Sequence, residues 1–532
     1  MALLIAMRRY EMKMILMSFI ILTALSVLAQ FSTSCSQKQV STEPPKSYQS
    51  YLTSVNPDFM VKPGKAYQWH RFKDKGGPTH SGDASWQRLM TFLEKEMKKY
   101  GVVDITRNRW TYDRWYTSEW PEDKNWTLIS DGTPVKVSHY GAYSGSTSSE
   151  GVAAELIYYN PASPPSSIKG KIAVFTTAPH PNPPLDKGYQ TWFTINDYEY
   201  LSDPETFPPM HTKVPVNQIV SFDIWWQLRQ TIRIIDTLKK GQAAGGIIIF
   251  DASYDRIAGL YTFPVPVLYH VPTLLLDRVA GKKVLEDARN GRKATLKLLA
   301  KTEKTETYQW IGYLPGKNYG KPSDEKIVLT THTDGPGISQ ENGAFGILGI
   351  VAYFSHIPQA ERPRTLMIFL DNRHYMPGME QGFEKEDWFK KYPESRKSVV
   401  ALIGTEHLGQ IEYKEEGNAF LPTGKVEPSF LWTRNNPLLI NMAIKAVKDH
   451  QWPRVMVQCV ERPGIHGKQQ GVWYGMGKIA LDWNVPGFAT MGSQGAYWAT
   501  TARINKFDKN LFYTQVATMV QLTGELMQVN LR

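Results

Sequence analysis

The sequence predicts an α/β fold, because three apolar, β-branched segments have the pattern of buried strands and each ends in polar residues. The first strand is predicted at residues 326–331, and a Gly/Pro turn leads from it to a helical pattern at 342–356. Residues 365–370 and 398–404 repeat the strand pattern. Buried strands that alternate with helices are typical of an open α/β sheet, in which the carboxyl ends of the strands form the binding crevice.

The residues that follow the three predicted strands are the first candidates for a functional site. They are His332 and Asp334 after the first strand, Asp371, Arg373 and His374 after the second, and Glu406 and His407 after the third. We expect these side chains to meet at one edge of the sheet, and imidazole and carboxylate groups together are typical metal ligands. Polar residues also simply end strands, but a His at all three strand ends favours a metal site.

Other elements of the same domain follow from periodicity. Amphipathic helices are predicted at 85–100, 436–450 and 509–528, and a strand at 104–112. Gly343, Gly346 and Gly349 recur at every third position of the helix predicted at 342–356. That spacing favours close approach of the helix to the sheet rather than ligand binding.

The order of these motifs resembles the di-zinc aminopeptidases, which share a fold with glutaminyl cyclases. The motifs that carry the resemblance are HTD at 332–334, ENGAFG at 341–346 and TEH at 405–407. The resemblance spans most of residues 85–530. It implies a mixed-sheet, zinc-exopeptidase-like domain of three layers, of the phosphorylase/hydrolase-like kind, and peptide hydrolysis of the aminopeptidase type.

In that family a His, a bridging Asp, a Glu–Glu pair, an Asp and a final His hold two zinc ions. The resemblance places His332 at the first His and Asp334 at the Asp that follows it. Glu341 stands where the bridging Asp is expected, and Glu406 takes the place of the later Asp. His332, Glu341 and Glu406 therefore imply one zinc site with an open position for water.

The sequence departs from the family pattern where the chemistry is expected. Arg373 falls at the general-base Glu, and a guanidinium group cannot take up a proton. His374 falls at a Glu ligand and is a candidate metal ligand, but Trp498 replaces the final His and cannot bind metal. The resemblance thus implies one zinc ion rather than two, with Asp334, Glu406 and Arg373 at the catalytic positions.

Three functions stay open at this point. The first is a metallopeptidase with a reduced metal site, in which His407, Glu412 or His466 replaces the lost groups and Glu406 or Glu412 serves as the base. The second is a catalytically inactive relative, a surface protein that keeps the cleft and binds peptides or other ligands, with Arg373 paired to Glu341 or Glu406. The third is a general α/β resemblance with unrelated chemistry.

A second module is predicted inside this domain. The segments KGKIAVF at 169–175, AAGGIIIF at 243–250 and VPTLLLD at 271–277 resemble, in this order, the protease-associated domain, which is often inserted into the same peptidase fold. The predicted boundaries are 61–150 for the first part of the peptidase-like domain, 151–305 for a mainly β insert, and 306–532 for the main part. A long addition at 179–233 is either a packing excursion or a lid over the metal site.

The start of the chain has the pattern of a targeting segment. Positive charges at Arg8, Arg9 and Lys13 precede an apolar stretch at 14–28, which is too short for a confident membrane span. Cys35 follows at once and resembles a lipoprotein cleavage site, so residues 1–35 are interpreted as a lipoprotein-type signal and 36–60 as a tether. We therefore expect an exported lipoprotein of the bacterial outer membrane or periplasm, with exposure at the cell surface as one arrangement; ordinary signal cleavage is the alternative.

Composition limits the partners. The chain has 532 residues, enough for two or three domains, and its formal charge is 61 − 50 = +11. The excess charge forms no basic stripe, so nucleic acid is not an expected partner, whereas 16 Trp and 27 Tyr suit a surface that contacts a saccharide or a peptide. The expected substrate is a peptide or a small molecule. Cys459 lies in an apolar run and is expected to be buried rather than reactive.

Overall fold

The described chain folds into two large β-sheets, a two-stranded hairpin and the helices that cover them. The structure is a computed structural model, and it describes residues 48–117, 124–179, 199–203, 222–260, 267–376, 383–460, 473, 475–492 and 499–530. All of them fall within one unit, Tyr48–Arg532. Within these ranges, no helix combines the length and the apolar character needed to cross a membrane.

The strands are numbered in chain order. They are β1 Val103–Tyr116, β2 Trp126–Ser130, β3 Thr133–Val135, β4 His139–Tyr140, β5 Val152–Tyr158, β6 Ile172–Thr176, β7 Tyr200–Leu201, β8 Gly245–Ile249, β9 Thr273–Leu276, β10 Lys293–Leu298, β11 Lys301–Leu314, β12 Lys326–His332, β13 Thr365–Asp371, β14 Val399–Gly404, β15 Ile411–Glu416, β16 Ala419–Val426, β17 Ser429–Arg434, β18 Val455–Val460 and β19 Gly487–Gly492.

The helices are numbered in the same way. They are α1 Ser50–Thr53, α2 Pro63–Asp74, α3 Ala84–Lys99, α4 Phe222–Gly241, α5 Tyr254–Ile257, α6 Arg278–Arg289, α7 Gly343–Ser355, α8 Trp388–Lys391, α9 Glu394–Lys397, α10 Pro437–Asp449, α11 Lys478–Trp483 and α12 Lys509–Gln528. Short 3₁₀ turns lie at Pro165–Ile168, Gln359–Glu361, Phe383–Glu386, Gly475–Gly477 and Ile504–Lys506.

The main sheet is mixed and has nine strands in the order β1-β11-β13-β12-β14-β19-β17-β18-β7. Its centre is the parallel group β13-β12-β14, in which His332 pairs with Asp371 and Thr330 pairs with Gly404. These are the three strands predicted from the sequence, and their bounds agree to within a residue or two. Because they are parallel neighbours, their carboxyl ends lie side by side, as predicted.

Helices cover both faces of the main sheet and complete three layers. Ile327 and Leu329 of β12 face one side and pack in a core with α3, α7, α10 and α12. Val328 faces the other side, in a second core with Phe389 of α8 and Ala480 of α11. The predicted three-layer α/β fold with a mixed sheet is therefore confirmed.

A second sheet has eight strands in the order β3-β2-β10-β5-β6-β8-β9-β4 and its own apolar core. It contains β6 and β8, which the sequence analysis placed outside the main sheet. Helix α4 packs into that core through Ile224, Leu228 and Leu238, and Gly281 lets α6 approach Ile249 of β8. The assignment of this module to the protease-associated class stays a prediction.

Three of the predicted boundaries differ from the bounds of the sheets and of the main core. The second sheet already includes β2, β3 and β4, which precede the predicted boundary at residue 151, and β11 of the main sheet begins at Lys301, before 306. The tether predicted at 36–60 ends before Leu52 and Met60, because both are buried in the main core. Signal residues 1–35, including Cys35, and most of the 179–233 addition lie outside the described residues.

The second module is inserted at the tip of a hairpin. Strands β1 and β11 pair antiparallel along their whole length, and Tyr116, the last residue of β1, is the direct partner of Lys301, the first residue of β11. The chain therefore leaves the main sheet after Tyr116 and returns to it beside that residue, at Lys301. Residues 117–300 lie between these two positions in the sequence.

Candidate metal centre

The polar strand ends predicted from the sequence meet at the carboxyl edge of the main sheet. His332 ends β12, Asp371 ends β13, and Glu406 and His407 follow β14 after Thr405. His407 has a positive φ of 55°, an unusual backbone conformation for a residue other than Gly. Such conformations persist only where surrounding contacts hold them, which is common at functional sites.

Three of these side chains form the group best suited to hold a metal ion. One ligand atom each from His332, Glu406 and His407 lies within 4.8 Å of the others. The three residues are 1%, 3% and 3% exposed, respectively. His407 was one of the alternatives that the sequence left open, and it here takes the place predicted for Glu341.

His332 is oriented for metal binding by the residue two positions on. Its Nδ1–H donates to the backbone carbonyl of Asp334 at 2.8 Å, which leaves the lone pair on Nε2. Burial lowers the pKa of His332 well below 6.5, so the ring is neutral. The Asp334 side chain accepts a hydrogen bond from the Tyr375 N–H at 2.6 Å, and burial raises the pKa of Asp334 to about 8.

Glu406 is held by the turn that precedes α11. Its Oε1 accepts a hydrogen bond from the Met476 N–H, while Thr490 binds its backbone N–H at 2.9 Å and its carbonyl at 3.0 Å. Gly475 lies against the carboxylate, where a Cβ would overlap both oxygens. Burial raises the pKa of Glu406 to about 8, so a cation beside this carboxylate would stabilise its charged form.

His407 has the less suitable hydrogen-bond pattern. Its Nδ1 accepts the Gly492 N–H at 3.2 Å, and burial lowers the pKa of His407 to about 3, so the ring is neutral. The single ring hydrogen is therefore on Nε2, 3.9 Å from Glu406 Oε2. Coordination through Nε2 requires that hydrogen to leave and the Gly492 contact to break.

The donor set fits one metal ion better than two. His332 offers the lone pair of Nε2, which the Gln340 amide approaches at 3.5 Å, Glu406 offers a fixed carboxylate, and His407 offers a third donor after a proton shift. Two nitrogens and a carboxylate are ligands that zinc prefers. The carboxylate expected to bridge two ions, Glu341, lies outside this group and has another partner.

That partner is Lys73, at the end of α2. Its ammonium group forms a salt bridge with Glu341 in which the two side chains are 2% and 0% exposed. The Thr79 hydroxyl also donates to Glu341 Oε1, at 2.8 Å. Glu341 was predicted to be a metal ligand, but the ammonium group of Lys73 neutralises its charge.

From the sequence we expected the Arg373 charge to lie beside the metal ions. In the structure the guanidinium group instead pairs with carboxylates outside the group formed by His332, Glu406 and His407. Its guanidinium binds Asp371, through Nε at 2.9 Å and Nη2 at 2.6 Å, and Asp387 at 2.6 Å. Within the part of the chain that the structure describes, its ion pairs are with Asp371 and Asp387 rather than with Glu341 or Glu406. Two carboxylates therefore offset the positive charge that was expected to repel a second ion.

His374 and Glu412, which the sequence analysis also proposed for the site, have surroundings unlike those of His332, Glu406 and His407. His374 is exposed and stacks on His332, with ring centroids 4.3 Å apart. Glu412, an alternative base, is buried in a salt bridge with Arg454 at 3.1 Å and accepts the Thr423 hydroxyl at 2.6 Å. Glu412 is therefore one partner of a structural ion pair rather than a base. His466 and Trp498 lie outside the described residues.

The second module contacts this edge of the sheet. The Tyr143 hydroxyl donates to the carbonyl of Tyr375 at 2.5 Å, and Tyr375 in turn binds Asp334 through its N–H. Leu260 forms a β-bridge with Ala499. The inserted module thus supports the segment that orients Asp334.

Sequence reasoning missed Lys73 and Thr79. A signal for Lys73 was present, because Ala66, Trp69, His70 and Lys73 have the i, i+3, i+4, i+7 spacing of one helix face and all four are buried. A Lys on an apolar helix face needs a buried counter-charge. The sequence did not identify Glu341, more than 260 positions away, as that counter-charge.

Comparison with known proteins gives the fold. No protein-family model matches the sequence, and no curated protein matches it. A peptidase M28 precursor from Shewanella amazonensis is similar in structure, with a TM-score of 0.57 and 14% identity over 91% of this chain and 99% of that one. The zinc aminopeptidase BSAP from Bacillus subtilis has a TM-score of 0.53 and 13% identity over 87% and 94% of the two chains.

An aminopeptidase from Aneurinibacillus sp. has a TM-score of 0.50 and 13% identity, over 90% of this chain and 95% of that one. At such low identity the likeness concerns the fold alone. It agrees with the resemblance found in the sequence motifs, and the chain has the zinc-exopeptidase fold of these aminopeptidases.

Proposed function

We propose that the protein is a metallopeptidase of the aminopeptidase type that uses a single zinc ion held by His332, Glu406 and His407. The observation that carries the proposal is the buried group of three donors within 4.8 Å of one another at the carboxyl edge of the sheet. The structural neighbours named as zinc aminopeptidases support both the metal and the reaction class. The ligand is then a peptide with a free amino terminus.

The residues divide the work of the site between them. A zinc ion in such a site polarises a carbonyl group and lowers the pKa of bound water. Asp334 holds His332 through its backbone carbonyl, and Met476 holds the Glu406 carboxylate. Arg373 is committed to Asp371 and Asp387 and supplies no base. Burial raises the pKa of Glu406 to about 8 when no metal ion is bound, and a bound zinc ion would lower that pKa, so Glu406 serves as a ligand rather than as the base.

Metal content of the purified protein tests the proposal. We expect about one zinc per chain, and we expect His332→Ala to weaken zinc binding at least ~10-fold and to abolish turnover of amino-terminal peptide substrates. His356→Ala is the matched control, since His356 is exposed and stacks on Phe59 away from the site. Two zinc ions per wild-type chain, or full zinc binding by His332→Ala, would contradict the single site.

The second candidate function is a catalytically inactive relative that binds peptides. The salt bridge of Lys73 with Glu341 and the hydrogen bond of His407 with Gly492 favour it, because both oppose a complete metal centre. Calorimetry with unlabelled peptides separates the two functions. Binding with no turnover, in protein that holds zinc or not, supports the binding protein.

We further propose that the protein is exported and anchored to a membrane through Cys35. The motivating features are the positive residues, the apolar stretch at 14–28 and the adjacent Cys. Cys35→Ala should release the protein from the membrane fraction. Cys459→Ala is the control, because Cys459 is buried. Unchanged retention of Cys35→Ala in the membrane would count against the anchor.

A further inference from the structure

The salt bridge between Lys73 and Glu341 has the arrangement of a cation site occupied by an ammonium group. Lys73 reaches into the main core from the last turn of α2, and its Nζ donates to the carbonyl of Gly337 as well as binding Glu341. Both oxygens belong to the loop that joins β12 to α7. The ammonium therefore ties the loop to α2 from within the protein.

The two oxygens of the Glu341 carboxylate have different surroundings, and the charged partner is bound to Oε1. Glu341 Oε1 receives the Lys73 ammonium and the Thr79 hydroxyl. Oε2 has no hydrogen-bond partner in the part of the chain that the structure describes, and it lies against Gly335, where a Cβ would overlap it. Burying a carboxylate in this way costs free energy unless a cation accompanies it.

We propose that Lys73 is a built-in cation that takes the electrostatic place of a second metal ion, so that the centre holds one ion and remains folded without the other. This deepens the proposed function, on which it rests for the first ion. A divalent ion bound to Glu341 would lie beside a full positive charge in a region of low dielectric, and Coulomb repulsion would oppose it. The residues thus do not fit a second ion while Lys73 is present.

The groups around Lys73 Nζ also indicate which metal ion would bind there if the ammonium group were removed. The oxygens are a carboxylate and a backbone carbonyl, which are hard donors that suit Mn²⁺ better than Zn²⁺. Lys73→Met removes the charge and keeps the length of the side chain, and it leaves Glu341 buried without a cation. A divalent ion can then supply the missing charge.

The experiment titrates zinc-loaded protein with Mn²⁺ alone and follows bound Mn²⁺ by electron paramagnetic resonance, together with thermal unfolding. We expect no Mn²⁺ site at this position in the wild type and about one per chain in Lys73→Met. The unfolding temperature of Lys73→Met should fall without Mn²⁺ and recover with it. The double variant Lys73→Met/Glu341→Gln, which lacks both charges, should neither bind Mn²⁺ nor respond to it.

Several outcomes decide the proposal. Lys98→Met is the matched control, because Lys98 forms an exposed pair with Glu94, and it should behave as the wild type. If Lys73→Met folds only with Mn²⁺, the proposal is supported. If Lys73→Met fails to fold in either condition, or folds and gains no Mn²⁺ site, the proposal is overturned. A wild type that binds no zinc overturns the proposed function, while comparison of the single and double variants in Mn²⁺ still tests Lys73.

Discussion

Arg373 illustrates how a residue at an expected catalytic position can instead be structural. Its guanidinium is 21% exposed and binds Asp371, whose side chain is 7% exposed, together with Asp387. Arg373→Met should lower the free energy of unfolding at pH 7 by about 1–3 kcal/mol, because it leaves a nearly buried carboxylate without its counter-charge. Zinc affinity should be unchanged. Urea unfolding and zinc titration measure the two quantities.

The pH dependence follows from the pKa of Asp371. Burial alone would raise that pKa, but Arg373 outweighs the burial and the pKa lies below 3.8. The stabilisation is therefore complete above pH 3.8 and is lost as the pH falls through the lower, folded-state pKa. In Arg373→Met burial should raise the pKa of Asp371 above 3.8, so the deficit in stability should begin to shrink at a pH above 3.8 and should continue to shrink as the pH falls through the lower pKa of the wild type. Arg373→Lys, which keeps a charge, should retain part of the stability; a deficit independent of pH would contradict the assignment.

At this scale the sequence predicted which side chains meet but not how they pair. His332, Asp334 and Glu406 follow buried strands, and strand ends are fixed by local pattern, so their common edge was predictable. The partners of Glu341 and Arg373 depend on α2 and on Asp387, which no local pattern connects to the strands. A carboxylate's role depends on the cation that reaches it, and this was set by contacts distant in sequence.

At the scale of elements, helix α7 must lie close to the strand ends for the site to form. Gly343, its first residue, has no room for a Cβ, which would overlap the Thr405 carbonyl and the Thr331 hydroxyl. Gly343→Ala should lower the free energy of unfolding by about 1–3 kcal/mol. Zinc affinity should fall about tenfold, because Thr405 precedes the proposed ligand Glu406, and displacing a residue that positions a ligand weakens metal binding.

A helix glycine with free space around it provides the control for that prediction. Gly64 of α2 has nothing within 4 Å of an added Cβ, so Gly64→Ala should be neutral or should stabilise by about 0.4–1 kcal/mol. Thermal unfolding and zinc titration of both variants make the comparison. Equal stability of Gly343→Ala and the wild type would show that α7 can move away from β14 without loss.

The elements themselves were predicted unevenly for a physical reason. Strands buried on both faces, such as β12 and β14, read as continuous apolar runs and were located to within a residue or two. Strand β2 alternates between buried and exposed residues over only five positions, and β4 has two residues. Such short elements are defined by their partners β10 and β9, which lie far away in sequence.

At the scale of the whole molecule, the two sheets have separate apolar cores, and both contact the edge that carries the candidate metal centre. Among the described residues of the main part, Trp115 and Tyr375 pack into the core of the second sheet. Tyr143 and Leu260 of the inserted module contact Tyr375 and Ala499. The module is therefore expected to contribute to the geometry of the site more than to the folding of the main sheet.

Replacement of the module by a turn tests this division. Because Tyr116 and Lys301 are direct partners across an antiparallel pair, residues 117–300 can be replaced by Asn-Gly, which closes a two-residue hairpin. With Trp115→Thr added to remove an exposed indole, the shortened chain should keep a cooperative thermal transition and the circular dichroism of an α/β protein. Its zinc affinity should fall at least ~10-fold, because Tyr375 loses the Tyr143 hydrogen bond and no longer fixes Asp334.

Tyr143→Phe in the full chain should show part of that loss. A shortened chain that does not fold would mean that the main sheet depends on the module, and one that binds zinc as the full chain does would mean that Tyr143 does not support the site.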